Sequence, residues 1–233
     1  MRLDYAQATD RGKVRETNED SHAAVMPDAP SQHLEKGSWF AVADGLGGLP
    51  DGEIASREAV SAFREIASRC GRPFSFPGAL EELFRHANRR VCSLNAGKAQ
   101  WLRMATTLTV SLFLKDGLYI GHAGDCRVYR IRENAIRQLT EDQSLDRHTL
   151  TQALGMDEGL APAFYKEELA AGDRYLQCSD GLYGVLSDRT LLGLVARNGL
   201  QEASGSLIRA ANEAGGPDNI TVQLIEITDI INE

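Results

Sequence analysis

Two kinds of hydrophobic periodicity divide the chain. Residues 52–70, "GEIASREAVSAFREIASRC", place Ile54, Ala59, Phe63, Ile66 and Cys70 at helical intervals and predict an amphipathic helix. The stretch "RCGRPFSFPG" breaks it, with Pro73 and Pro77 as stops. A second helix follows, with Leu80, Leu83, Phe84, Ala87, Val91 and Leu94 on one face. Then the period shortens. "TTLTVSLFL" (106–114) is β-branched and apolar, "KDG" (115–117) is a hairpin turn, and "LYIGHAG" returns as a strand. "CRVYRIR", "ENA" and "IRQLT" read as the next hairpin, and "DRYLQCSDG" as a further strand ending on an acid and a glycine. "DRTLLGLVARNG" and "QEASGSLIRAANEAG" read as two more helices, and "NITVQLIEI" as a closing strand. Residues 27–38 read as an exposed loop joining two strands. This order predicts an α+β fold in which helices cover an antiparallel sheet core.

Composition narrows the function. The length of 233 residues suits a single domain over 1–233 with a sizeable core. A net charge of −8 argues against nucleic-acid or acidic-membrane binding, which needs a basic footprint. No apolar run reaches membrane-spanning length, and the first twenty residues lack the apolar segment of a signal peptide, so a cytoplasmic location is expected. Cys70, Cys92, Cys126 and Cys178 are far apart and make no zinc pattern; reduced, mostly buried thiols are expected.

The chemistry lies in a recurring junction. The run Trp39–Ala43 stops at Asp44, followed by Gly45, Gly47 and Gly48. Alone this reads as a turn. The same grammar, an acid beside small or polar residues where a strand ends or begins, recurs in "NED" (18–20), "AGDCR" (123–127) and "CSDG" (178–181), while "GGPDN" (215–219) places Asp218 just before the last strand. Together these put Glu19, Asp20, Asp44, Asp125, Asp180 and Asp218 where their side chains can converge. Converging carboxylates repel unless a cation separates them, and an all-oxygen ligand set selects Mg²⁺ or Mn²⁺ over zinc.

These motifs, in this order, resemble the metal-dependent protein phosphatases, the protein phosphatase 2C-like Ser/Thr family, and its bacterial members most closely. The resemblance runs from "TDRGKVRETNED" through "VADGLGG", "ATTLTV", "GHAGDCRVYRI", "LTEDQSL", "TQALG" and "LQCSDGLYGVLSD" to "GPDNITV". It implies a four-layer α-β-β-α sandwich, two antiparallel sheets flanked by helix pairs. It also implies hydrolysis of phospho-Ser and phospho-Thr by water at a binuclear Mn²⁺ or Mg²⁺ centre. Asp44 would bridge the two ions, with the Gly45 carbonyl on one of them. Asp180 and Asp218 would hold the first ion, and Glu19 and Asp20 would serve the second, directly or through water. Asp125, with Asp180, would hold a third, weaker ion. Arg15 would bind the substrate phosphate, and Asn219 would order the last turn. The implied partners are phosphorylated proteins and an opposing bacterial Ser/Thr kinase, with the chain a monomer.

The pattern departs from the family in three places. Leu46 stands where some members carry a histidine general acid, which leaves His22, His33, His86, His122 and His148 as alternatives, most of them expected to be structural or exposed. Cys126 replaces the usual serine beside Asp125, as a small buried residue or, less readily, a redox-sensitive one. Only "DRHTL" (146–150) separates "LTEDQSL" from "TQALG", so the flap that many relatives insert there is short or absent. Two other functions fit the same residues: a phosphoprotein-binding pseudophosphatase and a phosphatase of small metabolites.

Overall fold

Unbroken apolar runs form the central strands, because helices and a second sheet cover both of their faces. The computed structural model describes residues 2–29, 32–33, 35–46, 51–69, 78–146 and 149–229. In chain order its elements are β1 (Arg2–Asp10), β2 (Asp20–Val25), β3 (Ser38–Asp44), α1 (Gly52–Arg69), α2 (Gly78–Leu94), β4 (Leu108–Leu114), β5 (Gly117–Ala123), β6 (Arg127–Arg132), β7 (Ala135–Gln138), β8 (Ser144–Asp146), β9 (Thr149–Leu150), β10 (Ala163–Glu167), β11 (Arg174–Cys178), α3 (Asp180–Tyr183), α4 (Asp188–Arg197), α5 (Leu200–Glu213) and β12 (Ile220–Asp229). One antiparallel sheet has the order β10-β5-β4-β3-β2 and the other β1-β12-β11-β6-β7. Every residue of β4 is buried, as is every residue of β3 except Asp44.

Strand alternation sorts these residues into separate cores. Trp39, Ala41 and Ala43 of β3 pack with Phe63 of α1 and Leu80 and Phe84 of α2, outside the first sheet. Phe40, between them in sequence, turns inward and meets Phe113, Tyr175 and Ile225 between the sheets. Its ring stands edge-on to Phe113 at 5.7 Å, and Phe113 stands likewise to Tyr175 at 5.3 Å. Leu176 and Leu224 pack outward against Leu191 of α4 and Leu207 of α5. The layers are therefore helix, sheet, sheet, helix, as the resemblance implied. Polar pins also cross the middle layer: Ser111 Oγ donates to Gln177 Oε1 at 2.6 Å, and Gln223 Nε2 to the Ala23 carbonyl at 3.0 Å.

Some expectations need correction. Leu94 is 43% exposed rather than part of the α2 core face, because it lies on the helix's last turn. The 27–38 segment is not wholly exposed: His33 and Ser38 are buried, with Ser38 Oγ donating to the His33 carbonyl, and Ser38 opens β3. β1, β8, β9, β10 and α3 carry too little periodicity to be read from sequence. The expected flap is a minimal one, the β8–β9 pair. Gly47, Gly48, Cys70, Pro73, Pro77 and His148 lie outside the described residues. Among the described residues no helix is long and apolar enough to cross a membrane.

Candidate active site

Five chain segments from both sheets meet at one end of the sandwich. Asp20 opens β2 and Asp44 closes β3, and the two are paired directly across the ladder. Such like-charge pairs are unfavourable in an ordinary sheet. The Asp44 main chain is fixed: its carbonyl accepts from Thr107 N and Thr106 Oγ1, each at 2.8 Å, and its amide donates to Thr107 Oγ1 at 2.9 Å. The glycines around it permit close backbone approach. A Cβ on Gly45 would sit 2.4 Å from the Gly52 carbonyl oxygen and 2.9 Å from that of Glu19, and a Cβ on Gly52 would press on Glu19 Oε2. Three segments, at 19, 45 and 52, thus crowd together only because two of them lack side chains.

The second sheet supplies the facing acids. Asp180 occupies the first turn of α3. Ser179 before it does not cap the helix; its hydroxyl donates to Asp20 Oδ2 at 2.7 Å and accepts from Thr221 N at 2.9 Å. Asp218 precedes β12 and accepts from Arg15 Nη2 at 2.6 Å. Asn219 binds the 11–19 segment: its Nδ2 donates to the Arg11 and Thr17 carbonyls, and its Oδ1 accepts from Glu19 N. Asp125 follows β5; its carbonyl accepts from Tyr183 Oη at 3.0 Å, and the Arg127 guanidinium stacks on that ring while pairing with Asp142. Asp20 is buried, whereas Arg15, Glu19, Asp44, Asp125, Asp180 and Asp218 are half-buried, so the cluster opens to solvent.

Electrostatics confirm the crowding. Burial, then Asp20, Asp180, Asp125 and Asp218, push Asp44 well above the usual carboxylate range. Burial raises Asp20 to about 6 against the pull of Ser179 and Thr221, and burial with Asp125 raises Asp180 to about 7. Burial also raises Glu19 and Asp125. Asp20 Oδ1 is buried and receives no hydrogen bond. A buried carboxylate oxygen without a donor is satisfied by a proton or by a cation. The all-oxygen donor set and this orphaned atom fit a hard divalent ion. Among the described residues no three acidic, histidine or cysteine side chains stand at the spacing that would hold a metal ion as they are placed here.

Other candidates fall away. His122 is fully buried, bonded to Thr109 and the Glu141 carbonyl, and held near 4 by burial, which makes it a neutral structural residue. His86 bonds to Glu65. Cys126 is buried against Thr107, and burial pushes its thiol far up, so it is not a reactive thiolate. Sequence reasoning missed Thr106, Thr107, Ser179 and Tyr183. Of these only Ser179, directly before Asp180, stood within an acid motif.

The Protein phosphatase 2C family pattern matches residues 11–221. The chain belongs to the protein phosphatase 2C family. It is 32% identical to the serine/threonine protein phosphatase PstP of Mycobacterium tuberculosis over 97% of its length, and spans 45% of that relative. It is 28% identical to the serine/threonine phosphatase Stp of Listeria welshimeri over 94% of its length, and spans 93% of that relative. The crystal structure of the catalytic domain of PstP in complex with two manganese ions superposes with a TM-score of 0.85 at 32% identity, covering 98% of this chain and 99% of that one.

Proposed function

We propose that the chain is one catalytic domain that hydrolyses phospho-Ser and phospho-Thr in proteins with the help of two Mn²⁺ or Mg²⁺ ions. The observation that carries this reading is the orphaned Asp20 Oδ1 among Asp44, Asp180 and Asp218, with the Arg15 guanidinium at the open side. When bound, the ions supply Lewis-acid activation of water and neutralise charge on the phosphoryl group. Asp44 would be shared between them, and the Gly45 carbonyl would add an oxygen to one. Asp180 and Asp218 would hold the first ion, Glu19 and Asp20 would serve the second, directly or through water, and Asp125 with Asp180 would hold a weaker third. Arg15, half-exposed and oriented by Asp218, offers its remaining N–H groups to the phosphate. Ser179 holds Asp20, and Tyr183 holds the Asp125 main chain.

The family membership and the manganese-bound relative support this reading. Phosphorylated proteins and an opposing Ser/Thr kinase are the corresponding partners. With Leu46 in place of a histidine and His122 locked in the core, the leaving-group proton would come from water or another group. The test is phosphate release from a phosphothreonine peptide with Mn²⁺, with Mg²⁺ and with chelator. Metal-dependent release, reduced at least ~10³-fold by Asp44→Asn and by Asp180→Asn, is expected. Release that survives chelation or either substitution would refute the metal mechanism, and faster turnover of sugar phosphates would point to metabolites instead.

A further inference from the structure

The turn that carries Asp125 is held from two sides. On one side Gly124 exchanges hydrogen bonds with Gln143: its amide donates to Gln143 Oε1 at 3.0 Å, and its carbonyl accepts from Gln143 N at 2.8 Å. Gly124 has a φ of +116°, and a Cβ there would lie 2.5 Å from Thr107 Cγ2, so this close approach requires glycine. The Gln143 carbonyl accepts from Thr151 N at 2.7 Å, which roots the β8–β9 pair on the same turn. On the other side the Asp125 carbonyl accepts from Tyr183 Oη at 3.0 Å. Among the described residues no other hydrogen bond joins α3 to residues 124–126.

Tyr183 is itself fixed. It closes α3, the same single turn of helix that begins with Asp180. The Arg127 guanidinium lies 3.7 Å from the centre of its ring, within cation–π range. That guanidinium cannot swing away freely. Its Nε donates to Asp142 Oδ1 at 2.9 Å, its Nη2 to Asp142 Oδ2 at 2.7 Å, and its Nη1 to Tyr129 Oη at 2.9 Å. Gln138 Nε2 secures Asp142 in turn, at 3.0 Å from Oδ1. The phenol also bears on the carboxylate: burial and Asp142 push Asp125 up, and the Tyr183 hydroxyl opposes them. One short helix therefore presents a core acid and, at its other end, the group that grips the neighbouring acid.

We propose that Tyr183 is a positioning residue for the weaker third ion, setting its affinity by fixing Asp125 relative to Asp180. The proposal deepens the metal reading above and rests on it for the ion's identity. Asp125 and Asp180 come from different segments, the turn after β5 and the start of α3. An ion shared by two such carboxylates is bound tightly only if their separation is held by groups behind them. Asp44 and Asp20 are held by other partners, Thr107 and Ser179, so the two core ions do not depend on this phenol.

The test counts ions rather than turnover. Mn²⁺ is titrated calorimetrically into metal-stripped protein, wild type and Tyr183→Phe, which removes the hydroxyl but keeps the ring beneath Arg127. Wild type should take up two tighter ions and one weaker one. Tyr183→Phe should weaken the third about tenfold and leave the other two unchanged, which also shows that the variant is folded. Asp125→Ala should remove the third ion, and adding Tyr183→Phe to it should change nothing more. A third ion unaffected by Tyr183→Phe, an equal loss at all three, or a wild type that takes only two ions would overturn the proposal. Phosphate release from a phosphothreonine peptide is measured on the same samples. A selective loss of the third ion in a chain that releases no phosphate would uphold the role of Tyr183 and overturn the phosphatase reading.

Discussion

Asn219 shows how one side chain ties the two halves of the site together. It comes from the second sheet, yet its three hydrogen bonds all go to the 11–19 segment that carries Arg15 and Glu19. Asn219→Ala removes all three and leaves partly buried main-chain groups unpaired, a loss of about 3 kcal/mol. In a chain of this length that lowers the melting temperature by roughly 6–12 °C. The substitution should also raise KM for p-nitrophenyl phosphate, because Arg15 loses its support. A KM that stays at the wild-type value in the folded variant would show that Asn219 does not position Arg15. The sequence placed Asn219 in its turn but could not name the partners, which are about two hundred residues away. The same limit hid Ser179, whose hydroxyl bypasses its own helix to reach Asp20. The acids themselves were legible because each interrupts an apolar run at a junction, where a charge is costly without a purpose.

Among the elements, legibility followed burial. β3 and β4 are buried on both faces and read as continuous apolar runs, and the Glu133–Asn134 turn announces the β6–β7 hairpin through two residues of positive φ. β1 and β10 lie at sheet edges and alternate too weakly, and α3 spans only four residues. What fixes the two sheets face to face is partly polar and so invisible to hydrophobic pattern. Gln177 of β11 reaches across to β4, accepting from Ser111 Oγ and donating to the Thr109 carbonyl at 2.7 Å. Gln177→Leu keeps the volume but strands the Ser111 hydroxyl between the sheets, and should cost about 2 kcal/mol in urea unfolding. Adding Ser111→Ala should recover part of that loss. If the double variant is as unstable as the sum of the single ones, the pair is not coupled and the pin carries no weight.

For the whole molecule, the acid cluster links stability, proton binding and ion binding. Asp180 at about 7, and Asp44 well above the carboxylate range, are raised relative to the unfolded chain. A group raised in this way contributes its stability in full below its unfolded value, and loses it as pH rises through its folded value. Chelated protein should therefore lose stability as pH rises from about 4 to about 7, as Asp20 and Asp180 are forced to ionise beside Asp44. His122, lowered from 6.5 to about 4, acts in the opposite direction and offsets part of this loss below about pH 6.5, so the fall is clearest between there and pH 7. A divalent ion competes with those protons, so its stabilising effect should grow over the same range. At an ion concentration about 100-fold above its dissociation constant the gain is about 2.7 kcal/mol, or roughly 5–11 °C in melting temperature. The measurement is a set of thermal melts across this window with chelator and with Mn²⁺, repeated for Asp44→Asn. The wild-type curves should diverge as pH rises, and the variant curves should lie closer together with a shallower slope. Parallel wild-type curves would mean that ion and proton do not compete for one set of carboxylates, and the shared site formed by Asp20, Asp44 and Asp180 would have to be abandoned. Because the melts record no turnover, they separate ion binding from catalysis: a chain that binds Mn²⁺ in this way yet releases no phosphate would retain the cluster as a metal site and lose it as an active one.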